Sequence, residues 1–294
     1  MTALQGATRT AVYGATTLVV GAALFDAIVI SRAIGLTPLE VASARSRARG
    51  IGFVAAIVLL AAYLTRLYLQ VVDSFLVAVP SAEMLRQLFF LTRDWGHGML
   101  AQIIISALVF CLLLYARRAR SSALGVIAVT APMAAVSVPL TGHAVAHAGG
   151  IAVAAQATHV FAAGGWLGTL SVLWLIGRRM QSTASLAFIV RAFSPVALTC
   201  AGLLGFAGAA TYFLHVGGLD QLLTTPYGLV LVTKIAVFLS AAGVGYVNWK
   251  HLTPRLTEDG QRERFTQAAA LEISLAVVAI LLTTVLTNLP QPGE

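Results

Sequence analysis

Residues 50–71 read GIGFVAAIVLLAAYLTRLYLQV, a run of 22 positions in which Arg66 carries the sole charge. At 1.5 Å rise per residue a helix of this length extends about 33 Å, enough to cross a hydrocarbon core of about 30 Å. Seven further apolar runs, bounded by charge or turn residues, lie at about 10–31, 95–116, 121–140, 151–177, 194–216, 226–249 and 268–289. Of the 294 residues, 59% are hydrophobic and 10% are charged. Soluble domains carry roughly 25% charged residues, so this composition excludes a soluble globular protein and intrinsic disorder. Two cysteines are too few for a disulfide scaffold. Backbone groups in lipid must pair within their own segment, so the expected fold is all-α: a polytopic bundle of about eight transmembrane helices.

Boundary signals refine this picture. Ser194-Pro195 and Thr225-Pro226 each place a capping hydroxyl before a proline and predict helix starts. The first run contains Asp26 and enters an arginine-rich loop without a clear small-residue cleavage site, so it reads as helix one rather than a cleaved signal. Segment 72–94 carries Pro80-Ser81, Glu83 and the apolar residues Met84, Leu85, Leu88, Phe89 and Phe90, the pattern of a short amphipathic helix on the surface. Glu258-Asp259-Gly260 reads as a solvated turn. One integral membrane domain results, with an N-terminal four-helix half over 1–140, including 72–94, and a C-terminal four-helix half over 141–294.

The formal charge of +8 sorts by side. With the loop after helix one on the inside, fourteen of the 19 Lys and Arg residues fall at inner loops, among them Arg45, Arg47, Arg49, Arg117, Arg118 and Arg262. Outer segments keep Arg9, Arg86 and Arg93. The positive-inside rule then sets both termini on the outer, periplasmic side. The charge is a topology signal and does not point to nucleic acid; the expected partner is the lipid bilayer.

Histidines sort the opposite way. His97 opens helix three, His143 and His147 lie between helices four and five, His159 is about 12 Å into helix five, and His215 closes helix six. His251 alone is on the inner side. Neutral imidazole is the commonest protein metal ligand, and Met99, two residues from His97, adds a thioether. Imidazole with thioether suits copper better than magnesium or calcium. Asp26, Arg66, Lys234 and Glu272 are ionisable residues inside spans, which mark functional paths by default. With Tyr227 and Asn248 they form a candidate intramembrane polar pathway. Cys111 and Cys200 read as packing residues, and Gly202, Gly205 and Gly208 as sites of close helix contact. Pro132 is expected to kink helix four. Cys-x-x-Cys, nucleophile-elbow and Walker patterns are absent, so no enzyme is expected.

Several strings carry a family resemblance. Arg191-Ala192-Phe193-Ser194-Pro195, Thr224-Thr225-Pro226-Tyr227-Gly228 with Lys234, Asn248, Pro254, Glu272 and Thr287-Asn288-Leu289-Pro290 resemble the copper resistance protein D family, as do Gly142-His143-Ala144 and His159 with Trp166-Leu167-Gly168. The likeness covers residues 141–290, and the first four helices by general pattern. It implies a multi-pass protein of the bacterial inner membrane that transports copper ions and works with a periplasmic CopC-like copper carrier. On that reading His97, Met99, His143, His147 and His159 receive copper on the outer face, with His215 a further candidate. The competing expectations are a haem-binding or quinone-linked electron-transfer protein, since histidines on bundle helices can ligate haem, and a non-transporting factor that delivers copper to a membrane oxidase.

Overall fold

Thr37, Pro38 and Glu40 decide where the longest helix begins. The computed structural model describes residues 3–76, 79–91, 93–119, 123–141, 149–215 and 221–289. In it the Thr37 hydroxyl accepts from the Glu40 amide at 3.3 Å, and the Glu40 carboxylate accepts from the Thr37 amide at 2.8 Å. This reciprocal capping box, with proline where no helical N–H is needed, starts α2 (Pro38–Phe75) a full three turns before the apolar run.

The other helices are α1 (Ala3–Arg32), α3 (Ala82–Leu91), α4 (Arg93–Arg118), α5 (Leu124–Leu140), α6 (Gly150–Gly177), α7 (Thr183–His215), α8 (Pro226–Leu252) and α9 (Gln261–Leu286). Seven of the described helices are long and apolar enough to cross a membrane. α5, the fourth run, joins 14 α-helical residues to a three-residue 3-10 turn. Its length of about 27 Å falls just short of the hydrocarbon core. α3 is the short helix expected within 72–94, opened by Ser81, whose hydroxyl accepts from the Met84 amide at 3.2 Å. The chain is an all-α polytopic membrane protein.

Two boundary expectations part ways here. Thr225 caps α8 as expected, its hydroxyl accepting from the Gly228 amide at 3.0 Å. Ser194-Pro195 does not start a helix: Pro195 lies inside α7, which begins at Thr183. The missing N–H costs one helical bond, and the burial of Phe193 and Val196 on either side holds the helix through it. Pro132 does lie inside α5. The turn at Glu258-Asp259-Gly260 is present, with Gly260 at φ +74° immediately before α9.

Alternating helix direction gathers the arginines at one end of the bundle. There Arg262 donates to the carbonyls of Gly177 and Met180, and the Ser185 hydroxyl donates to Glu40. At the opposite end Arg9 donates to the Thr287 carbonyl at 2.9 Å and to Asn288 Oδ1 at 2.7 Å, so α1 begins where α9 ends.

α1 is the central helix and packs on α2, α5, α6 and α9. One apolar core joins it to α2, α4 and α5 around Leu59, Tyr63, Leu113 and Ile127; another joins it to α6, α7 and α9 around Trp166, Leu173, Ile189 and Ala269. The closest approach is at Gly21 and Gly168, where a Cβ on Gly21 would stand 2.1 Å from the Gly168 carbonyl carbon. Val54, Ile57, Ile104, Leu108, Leu239 and Val277 point outward. Exposed aliphatic belts of this kind are the face that lipid covers.

Asp26 ties three helices together. A π-helical turn, Phe25–Val29, interrupts α1 and carries Asp26, which is completely enclosed. Arg49 Nε of α2 donates to its Oδ2 at 2.7 Å, and Arg45 Nε stands 3.4 Å from Oδ1. Arg49 Nη1 also donates to the Ala116 and Ala119 carbonyls, at 2.9 and 3.0 Å, satisfying acceptors that the end of α4 leaves without helical partners. Removing one partner of an enclosed ion pair strands the other. Arg49→Met should therefore destabilise the protein by about 3–5 kcal/mol, read as a fall in the thermal unfolding temperature in detergent. The double variant Asp26→Asn/Arg49→Met should recover part of that loss.

Candidate functional site

The second enclosed carboxylate, Glu272 of α9, is 2% exposed. The indole Nε1 of Trp166 donates to its Oε1 at 2.7 Å, and Asn248 Nδ2 donates to its Oε2 at 3.1 Å. Both donors sit in π-helical turns, Gly164–Gly168 of α6 and Asn248–Leu252 of α8. A π turn inserts one residue into a helix and swings that residue's neighbours off the regular face, and such turns concentrate at functional sites. Thr253 closes the α8 turn, its amide and hydroxyl both donating to the Asn248 carbonyl. Room for the carboxylate comes from Gly245, where a Cβ would stand 3.2 Å from Glu272 Oε1. Asn248 Oδ1 is enclosed and has no hydrogen-bond partner among the described residues. Sequence reasoning grouped Asn248 and Glu272 in one polar pathway, and the structure brings these two together.

At the end opposite the arginines, His97 lies exposed in the first turns of α4 while Met99 is fully buried two residues on. Between them the helix packs tightly on the end of α5: a Cβ on Gly98 would stand 1.9 Å from the Leu140 carbonyl oxygen. Gln102 Nε2 fastens the same point, donating to the Val138 carbonyl and the Thr141 hydroxyl at 3.1 Å each. The last turn of α5, Val138–Leu140, packs on both α4 and α6. His143 and His147 follow in the sequence and lie outside the described residues. His215 is the last residue of α7, and its side chain is also outside the description.

His159 of α6 packs against α7. Its ring lies on Gly208, 3.4 Å from where a Cβ would be. Nδ1 is enclosed and has no hydrogen-bond partner among the described residues. Lys234 of α8 is close enough for its charge to act on the ring and forms no salt bridge among the described residues. Among the described residues no group of three or more His, Cys, Asp or Glu side chains comes together as a metal cage.

The remaining members of the expected pathway stand apart. Arg66, partly buried on α2, lies in electrostatic reach of Tyr13, Tyr63 and Arg9. Tyr227 is the second residue of α8 and partly buried. Asp26 belongs to the arginine-rich end. Among the described residues no hydrogen bond links Asp26, Arg66, Tyr227 or Lys234 to the Asn248–Glu272 pair. Cys200 is buried against Gly165, as a packing residue is, whereas Cys111 is exposed on the surface of α4. A Cβ on Gly202 would meet nothing within 4 Å, so close helix contact holds for Gly208 and not for Gly202. Outside the spans, on α3, hydrogen bonds from Arg86 and then Gln87 hold the Glu83 carboxyl below the usual carboxylate range.

Sequence reasoning placed Arg45 and Arg49 in a loop and so missed the partners of Asp26. The capping box from Thr37 to Glu40 is the signal that extends α2 back over them and puts the two arginines four apart on one face. Trp166 was visible as part of a family motif, but its role as donor to Glu272 has no local sequence signature.

Long apolar helices that enclose ion-paired and hydrogen-bonded carboxylates define a multi-pass membrane protein. The chain belongs to the copper resistance protein D family: residues 1–154 match the description "Copper resistance protein D-like, N-terminal domain" and residues 187–286 match "Copper resistance protein D". It is 28% identical over 158 residues to the copper transport protein CutJ of Bacillus subtilis (strain 168), across 52% of this chain and 28% of that protein. It is 25% identical over 238 residues to copper resistance protein D of Pseudomonas syringae pv. tomato, across 76% of each. The chain thus spans little more than a quarter of the first relative's length. No solved structure matches it.

Trp166→Phe keeps an aromatic ring and removes one donor from an enclosed carboxylate, a loss of about 1–3 kcal/mol. Its thermal unfolding temperature in detergent should fall clearly below that of Trp174→Phe, whose indole donates to a partly buried carbonyl, that of Thr266, at 3.2 Å.

Proposed function

We propose that this copper-related membrane protein transports copper ions across the bacterial inner membrane, receiving them on the periplasmic side. Family membership and the names of both relatives support a role in copper handling. The observation that carries the more specific reading is the state of His159. Metal-ligating histidines characteristically spend one ring nitrogen on a backbone carbonyl or carboxylate, which fixes the tautomer and leaves the other lone pair for the ion. His159 supplies the free side of such an arrangement: an enclosed Nδ1 with no hydrogen-bond partner among the described residues, on a ring packed against Gly208 of α7.

On this reading His97, Met99, His143, His147 and His159 pass copper from the periplasmic mouth into the bundle, and His215 lies at the same end. The soft thioether of Met99 and the imidazoles form a donor set suited to copper. Lys234 keeps the inner station from becoming a trap, because a cation beside the ring opposes a bound copper ion. The fourteen basic residues that the sequence assigns to inner loops support placing the arginine-rich end in the cytoplasm and both termini in the periplasm. A CopC-like copper carrier is the proposed periplasmic partner. Transport is passive or proton-linked, and the protein is not an enzyme.

Replacing His143, His147 and His159 together by alanine should leave the protein in the membrane and reduce copper accumulation to the level of cells lacking it. Unchanged accumulation would refute the receiving site. Lys234→Met should raise the copper retained by purified protein after gel filtration, measured by atomic absorption.

A further inference from the structure

Glu272 differs from Asp26 in the company it keeps. Asp26 faces two guanidinium groups. Glu272 meets neutral donors alone, the Trp166 indole from α6 and the Asn248 amide from α8, beside the bare backbone of Gly245. Charged and titratable groups on the elements packed against it are engaged, turned away or distant along their helices: Lys234 of α8 lies 14 residues, about 21 Å, from Asn248, and His159 of α6 lies seven residues, about 10 Å, from Trp166. On α1, Asp26 is paired with Arg49; on α8, Lys250 is exposed and donates to the Tyr246 hydroxyl at 2.9 Å, and His251 is exposed. On α9 itself Glu263 and Arg264 are exposed and Arg262 is spent on carbonyls. No ionised group among the described residues acts on the Glu272 carboxyl.

An enclosed carboxylate without a countercharge is the most expensive polar group a bilayer-embedded bundle can hold, and binding a proton is the direct way to relieve it. The second observation is the unpartnered, enclosed Asn248 Oδ1. A primary amide carries a donor and an acceptor at nearly equal reach. With Nδ2 toward Glu272 it serves the ionised form, as seen here at 3.1 Å. Turned by half a rotation about its terminal bond, it presents Oδ1 to the same oxygen and accepts the O–H of the neutral acid. Trp166 donates to Oε1 in either state. An asparagine therefore supports both protonation states of one carboxyl, which an arginine or lysine in its place would not.

We propose that Glu272 is a proton-binding site of the bundle, held between Trp166 and Asn248 so that its carboxyl can take up and release one proton without a countercharge. The step is a single protonation: a hydronium ion gives up one proton, its O–H bond breaking to leave water, and the carboxylate forms one O–H bond and becomes the acid. This deepens the transport reading by naming the group that would carry a coupling proton, and it rests on that reading for the coupling alone.

The test is infrared difference spectroscopy of the full chain in lipid vesicles as pH is raised and lowered, without copper. Wild type should show a reversible carboxylic-acid C=O band that is missing from Glu272→Gln, and Asn248→Leu should move its frequency because the acid loses its acceptor. Dicyclohexylcarbodiimide, which adds a carboxylic acid O–H across one of its C=N bonds, should label Glu272 at low pH and progressively less at high pH, as read by peptide mass spectrometry. Identical difference spectra from wild type and Glu272→Gln would overturn the proposal whatever the copper flux. A titrating Glu272 band in protein that moves no copper would leave the proton site standing and refute transport.

Discussion

A bilayer core holds no water, so each polar group inside the bundle must find its partner in the protein. The enclosed carboxylates show how this chain meets that demand. A regular helix presents side chains at fixed angles, and neither Asp26 nor the donors to Glu272 would meet their partners from a helix of uniform pitch. Each sits in a π turn, and the three π turns of the described residues are those of Asp26, Trp166 and Asn248. The local cost is an irregular backbone hydrogen-bond ladder. In α8 that irregularity is absorbed by Thr253, whose amide and hydroxyl both reach the Asn248 carbonyl.

The two carboxylates are partnered by opposite means, with consequences for what each can do. Asp26 is neutralised by guanidinium groups, and Arg49 Nη1 donates to the carbonyls at the end of α4, so the cluster fastens α1, α2 and α4 at the arginine-rich end. Glu272 joins α6, α8 and α9 through neutral donors, an arrangement that tolerates a change of charge. α1 lies between the two apolar cores and touches α6 backbone to backbone at Gly21 and Gly168, so the two cores meet without a gap at that contact.

Class and the gathering of arginines at one end were legible in the sequence, because length, hydropathy and charge are local properties; of the eight expected spans, seven are long and apolar enough to cross a membrane, and α5 falls short because its last turn tightens into a 3-10 turn. The cap at Thr225, the surface helix α3 and the Gly260 turn were legible for the same reason. Reading Pro195 as a helix start failed because its signal is local while the packing of Phe193 and Val196 that overrides it is not. Of the candidate site, Asn248 and Glu272 were recognised as polar residues in lipid, but their contact depends on two π turns that leave no period in the sequence. Arg49 was hidden by an apolar-run criterion that ignores the capping box ahead of it. At the histidine end, sequence sorted the residues to one side, and the enclosed Nδ1 of His159 emerged from its packing on α7.

The account therefore joins a histidine and methionine end, a lone lysine beside the innermost histidine, and a proton-ready carboxyl deeper in the bundle. Its central claim is movement of copper through the chain itself. Copper flux in proteoliposomes containing only the purified protein, measured with the copper gradient applied in each direction, tests that claim most directly. The account predicts protein-dependent flux well above that of empty liposomes. Flux equal to that of empty liposomes in both directions, with protein folded and inserted, would contradict it.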